Sequence, residues 1–321
     1  MKLLVTGGLG FIGSNFINYW LSNHPNDNVV NVDKVTYAAN FGNINEPNNG
    51  NYRFVKADIN DKKVMKELIA LSDTIINFAA ESHVDNSIAS PQEFLKSNYI
   101  GVFNILELVR KYDKRFHQVS TDEVYGSLPL DSHDRFNENS CYNPRNPYSS
   151  TKAAADHLIR AYVNTYGIKA TISNCSNNFG PNQHPEKLIP KTILNALSGQ
   201  NIPIYGSGKQ IRDWIYVEDH CIALDLIIHN GKIGETYLVS AENEVSNIDV
   251  VNKILSILDK RDDLIEHVSD RPGHDKRYAL SPEKIQKELG WSPRYNFEDA
   301  LRKTIEDYHK NINKYTRINH A

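Results

Sequence analysis

A hydroxyl pair and two adjacent carboxylates, Ser120-Thr121-Asp122-Glu123, follow an apolar β-branched run and precede Val124-Tyr125-Gly126. Some 25 residues later comes Pro147-Tyr148-Ser149-Ser150-Thr151-Lys152. Tyr148 and Lys152 are four apart, so on a helix they share one face. An ammonium beside a phenol favours the phenolate and lowers its pKa. Such a tyrosine can take the proton from a sugar hydroxyl while hydride leaves the same carbon. Lys152 is also placed to hold the ribose beside the redox ring. Two neighbouring carboxyls whose surroundings push their pKa values apart can serve as acid and base of a water elimination. Each motif alone has a plainer reading: Tyr-x-x-x-Lys as surface pairing, the carboxylates as a solvated turn. The C-terminal end of a strand, where open α/β sheets put their ligands, favours the chemical reading.

The first strand-like run leads into Thr6-Gly7-Gly8-Leu9-Gly10-Phe11-Ile12-Gly13. The spacing satisfies Gly-x-Gly-x-x-Gly through Gly8, Gly10 and Gly13, and a second pattern through Gly7, Gly10 and Gly13. Glycines permit a tight turn, close backbone approach to a pyrophosphate, and packing of the next helix on the strand. The helix N-terminus then offers N–H groups and partial positive charge to the phosphates. The second run ends in Asp33, twenty residues beyond Gly13. A carboxylate there accepts from a ribose 2′-hydroxyl and repels a 2′-phosphate, so NAD is preferred over NADP. Lys34, directly after it, weakens that preference. Asp58 can meet the adenine amine or act as a turn residue. The small residues of Phe78-Ala79-Ala80-Glu81-Ser82 leave room for a ligand at the sheet edge.

These groups need a scaffold of alternating strands and helices. Runs 3–6, 29–33, 54–58, 74–78, 116–120 and 170–175 read as buried strands, and segments 11–23, 62–72, 92–112 and 151–166 as helices. The alternation predicts an α/β fold, a Rossmann-type doubly wound parallel sheet with a smaller C-terminal α/β substrate lobe. Residues 1–180 form the expected dinucleotide-binding domain, with a segment near 214–240 returning to it, and 181–321 the second lobe. Helices are expected at 189–198, 250–258 and 282–289. The tail after Lys303 reads as a solvated helix and end. Of 321 residues, 36 are Lys or Arg and 39 Asp or Glu, a formal charge of −3. That balance excludes a general nucleic-acid binder, which carries a strong basic excess. Cys141, Cys175 and Cys221 are sparse and far apart, which argues against a disulfide framework and fits a reducing cytoplasm. No metal site, membrane span or lipid anchor is expected.

Taken together, the motifs resemble the nucleotide-sugar 4,6-dehydratases of the extended short-chain dehydrogenase/reductase superfamily. The resemblance runs over essentially the whole chain. Its distinctive parts are Val32-Asp33-Lys34-Val35-Thr36-Tyr37-Ala38, Ala79-Ala80-Glu81-Ser82-His83-Val84-Asp85, the strand end at Thr121, Asn177-Asn178-Phe179-Gly180-Pro181, Arg212-Asp213-Trp214 and Asp270-Arg271-Pro272-Gly273-His274-Asp275. Two departures are Ala39, where the family commonly has Gly, and Phe179, where it commonly has Tyr.

The resemblance implies dehydration of dTDP-glucose to dTDP-4-keto-6-deoxyglucose within dTDP-rhamnose biosynthesis. Tyr148 would take the 4-hydroxyl proton, hydride would pass to tightly held NAD and return to C6, and Thr121 would hydrogen-bond the developing C4 oxygen. Asp122 would be the general acid at the C6 hydroxyl and Glu123 the base at C5. Phe11, Ile12, Asp33, Lys34, Val35, Thr36, Asp58, Ile59, Ser97 and Asn178 would join Gly7, Gly10, Gly13, Phe78, Ala79, Ala80, Ser82, Tyr148 and Lys152 around NAD. Ser82, Asn177, Lys187, Leu188, Pro203, Ile204, Tyr205, Arg212, Asn247, Asp270, Arg271, Pro272, Gly273 and His274 would hold the nucleotide sugar, alongside Thr121, Asp122 and Glu123. Arg212 and Arg271 suit a diphosphate because guanidinium donates in a planar fork. The plainer reading of Arg212 is a surface ion pair with Asp213. Tyr205 would stack on the thymine. A homodimer through a four-helix bundle is also implied, and segment 92–112 is apolar over most of its circumference, as a helix buried on more than one side requires.

Two other functions compete. A nucleotide-sugar 4-epimerase would share the glycine loop, Tyr148 and Lys152 but have no use for the Asp122–Glu123 pair. A non-catalytic dinucleotide sensor would need cofactor contacts but no acid–base groups.

Overall fold

The computed structural model describes residues 1–46, 48–270 and 273–316. Its first half alternates β1 (Lys2–Thr6), α1 (Phe11–Asn23), β2 (Asn28–Asp33), β3 (Tyr52–Lys56), α2 (Lys62–Leu71) and β4 (Thr74–Asn77). Then come α3 (Val84–Ala89), α4 (Pro91–Leu95), α5 (Gly101–Tyr112), β5 (Arg115–Thr121), α6 (Pro147–Tyr166) and β6 (Lys169–Cys175). The second half runs β7 (Asn177–Phe179), α7 (Leu188–Ser198), β8 (Ile202–Tyr205), β9 (Ile211–Tyr216), α8 (Val217–Asn230) and β10 (Thr236–Val239). It closes with β11 (Glu244–Ser246), α9 (Asn247–Ile257), β12 (Ile265–Val268), α10 (Glu283–Leu289), α11 (Phe297–Lys310) and α12 (Ile312–Thr316).

Seven strands form one parallel sheet in the order β10-β6-β5-β4-β1-β2-β3. Both faces are covered, which is why strands such as β1 and β4 carry apolar residues on both faces rather than on alternate positions. Leu4, Ile75, Phe116 and Ile172 pack under α2, α5 and α6 on one face. Leu3, Val5, Ile76 and Val119 pack under α1 and α8 on the other. The strand order reverses between β1 and β4, which opens a crevice at their C-terminal ends. The chain also returns late to this sheet. α8 lays Val217, Cys221, Leu224 and Ile228 beside Phe16, Ile17 and Trp20 of α1, and β10 pairs with β6. β9 does not return; it joins β7 and β11 in a separate three-stranded sheet. β8 and β12 pair in parallel beneath α7 and α9.

Three expectations are corrected. The single helix 92–112 is broken by a π-helical turn, Lys96–Ile100. Packing sets it. Gly101 lies so close to Ile59 that a Cβ would stand 2.3 Å from its Cδ1. Asn98 meanwhile reaches inward to bond both the N–H and the C=O of Glu81, at 2.9 and 3.0 Å. Second, α6 starts at Pro147 rather than residue 151, because Asn146 caps it and Pro147 occupies the first turn, where a missing N–H costs nothing. Third, the tail is not merely solvated. Ala300, Leu301, Ile305 and Tyr308 bury one face of α11. The Tyr308 hydroxyl donates to the Gln183 carbonyl, and Tyr315 Oη accepts from Asn182 N–H at 3.0 Å. The C-terminal helices thus pin loop 181–183 against the cleft.

Candidate active site

The glycine loop is as tight as its sequence demands. Gly7 has φ +70°, and a Cβ there would lie 2.6 Å from Ala79 N. A Cβ on Gly13 would lie 2.5 Å from Gly7 O. Gly10 precedes α1, and no side chain caps that helix. Asp33 closes the loop from the side: one carboxylate oxygen accepts from Leu9 N–H at 3.1 Å and the other from Val35 N–H at 2.8 Å. Burial raises its pKa, and those two bonds oppose the rise. Lys34 reaches Glu81, 3.0 Å distant, and its charge also lowers the Asp33 pKa.

A cleft of about 320 Å³ runs from this loop to β5. Gly7, Gly10, Phe11, Ile12, Gly13, Asp33, Lys34, Thr36, Asp58, Ile59, Phe78, Ala79, Ala80, Ser82, Ser97, Asn178, Tyr148 and Lys152 all line it. Val35 does not. It sits at φ +62° and packs into the core beside α1. Asp58 lines the cleft while its carboxylate accepts from Asn60 N–H at 2.8 Å, so it is a turn residue as well. A cradle too narrow for a Cβ, an uncapped helix N-terminus and a carboxylate at the end of β2 together fit a dinucleotide.

The far end of the cleft holds Thr121, Asp122, Glu123, Tyr148 and Lys152. Lys152 Nζ donates to Val119 O at 2.7 Å. Tyr148 is held well above the ordinary phenol value, first by burial, then by the charges of Glu123 and Cys175; only the Thr121 hydroxyl pulls it down. Burial therefore outweighs the depression expected from Lys152. In so dry a site desolvation exceeds a single neighbouring ammonium, and burial lowers the pKa of Lys152 as well. Asp156, one turn further along α6, opposes that fall by its charge. Its carboxylate is anchored by Ser120 Oγ at 2.7 Å and Tyr142 Oη at 3.1 Å.

The two adjacent carboxyls have different surroundings. Asp122 is 2% exposed and held well above the carboxylate range by burial, then by Glu123 and Asp213. Thr121 Oγ1 donates to its Oδ1 at 3.2 Å, while Oδ2 is buried without a hydrogen-bond partner. Glu123 is also raised by burial, but Asn146 and Arg212 oppose the rise. Asn146 Nδ2 donates to Glu123 Oε2 at 3.1 Å. Burial and like charge thus push Asp122 toward its protonated form, while Glu123 has contacts that oppose the same push.

A second cleft, about 460 Å³, adjoins the first and shares Ser82, Glu123, Asn177, Asn178 and Lys187 with it. Leu188, Pro203, Ile204, Tyr205, Arg212, Asn247, Gly273 and His274 line this one. Arg212 is no surface ion pair. Its guanidinium lies 4.3 Å over the Tyr278 ring and donates to Asp275 O at 3.0 Å. Asp213 turns inward to Ser240 Oγ and Asn243 N–H. Asp270 does not line the cleft; its carboxylate takes His274 Nδ1 at 2.7 Å and Gln210 Nε2 at 3.2 Å. Arg271 and Pro272 lie outside the described residues. Asn177 Oδ1 is buried without a partner and so is open to a ligand donor. Sequence reasoning missed Asn146, Gln183, Glu186 and Tyr278. Asn146-Pro147 is a helix-start signal that points to the first of these; the others arrive only through tertiary packing.

A family model described as GDP-mannose 4,6 dehydratase matches residues 4–304. A dTDP-glucose 4,6-dehydratase of Mycobacterium tuberculosis is 49% identical, covering 97% of this chain and 94% of that one. The crystal structure of a Streptomyces venezuelae dTDP-glucose 4,6-dehydratase with NAD and TYD bound superposes with TM-score 0.96 at 39% identity, covering 99% and 100%. A Thermotoga maritima UDP-glucose 4-epimerase with UDP-glucose superposes with TM-score 0.89, but at 26% identity, covering 97% and 100%. The epimerase likeness extends the fold; identity over nearly the full length of both chains goes further, and this chain belongs to the family of dTDP-glucose 4,6-dehydratases.

Proposed function

We propose that the protein is an NAD-dependent hydro-lyase that converts dTDP-glucose to dTDP-4-keto-6-deoxyglucose in dTDP-rhamnose biosynthesis. The observation that carries this reading is the adjacent pair Asp122 and Glu123, with Glu123 at the seam of the two clefts and bonded to the Asn146 amide, and Asp122 buried with one oxygen unpartnered. Elimination of water needs one group to give a proton and another to take one.

Tyr148 takes the proton of the 4-hydroxyl, and Thr121 bonds the same oxygen; the phenolate this needs would be favoured, against burial, by Lys152 and by the positive charge of NAD when bound. When bound, NAD supplies the site that accepts hydride from C4 and returns it to C6. Glu123 removes the C5 proton, which the adjacent keto group acidifies, and later gives it back. Asp122 protonates the departing C6 hydroxyl. The protons balance when the one held by Tyr148 replaces the one Asp122 gave, and Thr121 touches both. Lys152, anchored to β5, orients the cofactor ribose. Asn177, Lys187 and Arg212 hold the diphosphate and sugar, with Tyr205 at the base.

An epimerase would share Tyr148 and Lys152 but leave the carboxyl pair idle. Incubation with dTDP-glucose, followed by mass spectrometry, separates the two: loss of one water without net NADH supports dehydration, and unchanged mass in the galacto configuration overturns it.

Residues 1–180 with α8 and β10 act as the cofactor domain, and the remainder as the substrate lobe. The working form is a cytoplasmic homodimer built on a four-helix bundle. Supporting this, Ile88, Leu95, Ile100 and Phe103 expose an apolar patch on α3 to α5, each 37–50% accessible. No described helix is long and apolar enough to cross a membrane.

A further inference from the structure

We propose that Asn146 is a positioning residue whose amide donates to the Glu123 carboxylate and so divides the acid and base roles between two adjacent carboxyls. The inference rests on the dehydration reading above.

The orientation of the Asn146 amide follows from its partners. Oδ1 accepts from the backbone N–H of Ser149 at 2.8 Å. A backbone N–H can only donate, so that atom must be the oxygen, and the NH2 group must face Glu123 Oε2, 3.1 Å away. Asn146 N–H donates in turn to Ser149 Oγ at 3.3 Å, completing a capping box, and Pro147 fixes the first turn. The amide is therefore fastened to the same helical turn that carries Tyr148. One rigid element sets both the base and the redox tyrosine.

An amide N–H stabilises a carboxylate more than a carboxylic acid. Among the described residues it is the only side chain hydrogen-bonded to the Glu123 carboxylate. Asp122 has only the Thr121 hydroxyl, and its second oxygen is buried without a partner. The other charged and titratable groups facing Glu123 come from several elements. They are Asp122 beside it, Tyr148 on α6, Arg212 on β9, Lys187 before α7, and Asp275 and Tyr278 after β12. Arg212 and Lys187 favour ionisation, but Asp275 opposes it. Asp213 on β9 raises Asp122 in addition; among the contacts that favour an ionised Glu123, the short-range one from Asn146 is the largest.

Three variants test this. Asn146→Ser keeps a good helix cap and removes the donor. Asn146→Asp keeps the cap and sets a carboxylate against Glu123. Asn146→Ala removes cap and donor together. The readouts are kcat and KM for dTDP-glucose across pH, with thermal melting of each variant. For Asn146→Ser the acid limb of kcat moves up by about one pH unit, and kcat below the limb falls roughly tenfold. KM and the melting temperature stay near wild type. Asn146→Asp moves the limb further. An unmoved limb in both, with activity falling only alongside melting temperature in Asn146→Ala, reduces Asn146 to a cap and overturns the proposal. A rise in KM alone makes it a substrate contact and overturns it too. Wild-type protein that releases no water overturns the dehydration reading instead. Carboxyl carbon-13 titration of Glu123 in wild type and Asn146→Ser then decides the proposal, which fails if the two curves coincide.

Discussion

Substituting Gly10 and Gly7 by alanine, one at a time, separates cofactor binding from folding at the loop. At Gly7 the backbone is left-handed, φ +70°, and the new methyl would meet backbone atoms of Ala79 at 2.6 and 2.7 Å. The left-handed conformation alone costs about 1–2 kcal/mol for an L-residue. The clash adds to it, because β4 cannot move without disturbing the sheet. At Gly10 φ is −74°, which alanine adopts freely, and within 4 Å the methyl meets only Gly7 O at 3.3 Å. Its folding cost, chiefly a poorer helix cap, is about 1 kcal/mol. The methyl does, however, stand where a pyrophosphate must approach the N-terminus of α1. Losing one or two charge-assisted N–H bonds to phosphate, at roughly 1.5–3 kcal/mol each, weakens NAD binding at least about tenfold, and more than a hundredfold if two are lost. Calorimetric titration with NAD and thermal melting measure the two effects. Gly10→Ala melts within a few degrees of wild type and binds NAD poorly; Gly7→Ala melts far lower. Wild-type NAD affinity in Gly10→Ala, or equal destabilisation by both, would refute the reasoning.

Other predictions concern the carboxyls and the exposed helices. Asp122→Asn and Glu123→Gln slow water elimination by two or more orders of magnitude while C4 oxidation, followed as transient NADH absorbance, slows far less; equal slowing of both steps contradicts the assigned roles. Asp213 is pushed from 3.8 up to about 6 by burial, so the native state binds the proton more tightly than the unfolded chain. Stability from this group is therefore full below 3.8 and declines as pH rises through about 6, by up to roughly 3 kcal/mol. Asp213→Asn flattens melting temperature against pH in that window; an unchanged slope would show that the shift is not there. Phe103→Glu with Leu95→Glu turns a dimer in light scattering into a monomer; a dimer that persists takes this patch out of the interface.

What the sequence disclosed was local in origin. The glycine loop, Asp33, the Thr121–Glu123 strand end and the Tyr148–Lys152 pair each depend on spacing along the chain, and each lines the cleft where expected. The sheet was legible because short apolar stretches such as 3–5 and 75–76 alternate with helical patterns, even though β5 and β6 also bury polar residues such as His117 and Ser173. The rest depends on what folding brings near. The π turn at 96–100 does not disturb the apolar pattern of 92–112, so only Gly101 against Ile59 reveals it. The high pKa of Tyr148 comes from desolvation, which no i, i+4 spacing reports. Arg212 has Tyr278 and Asp275 as partners, more than sixty residues away, rather than its neighbour Asp213. Phe179 lacks the hydroxyl its family commonly carries, and it sits at 0% exposure among Trp214, Tyr216 and Phe297, where a hydroxyl would need a partner.

The most direct test uses dTDP-glucose carrying deuterium at C4, in ordinary water, with the product analysed by mass spectrometry and NMR. Oxidation at C4, elimination by Asp122 and Glu123, and return of the same hydride to C6 predict a 4-keto-6-deoxy product, lighter by one water, with the deuterium on C6. Deuterium still on C4 of an intact hexose of inverted configuration would contradict the account.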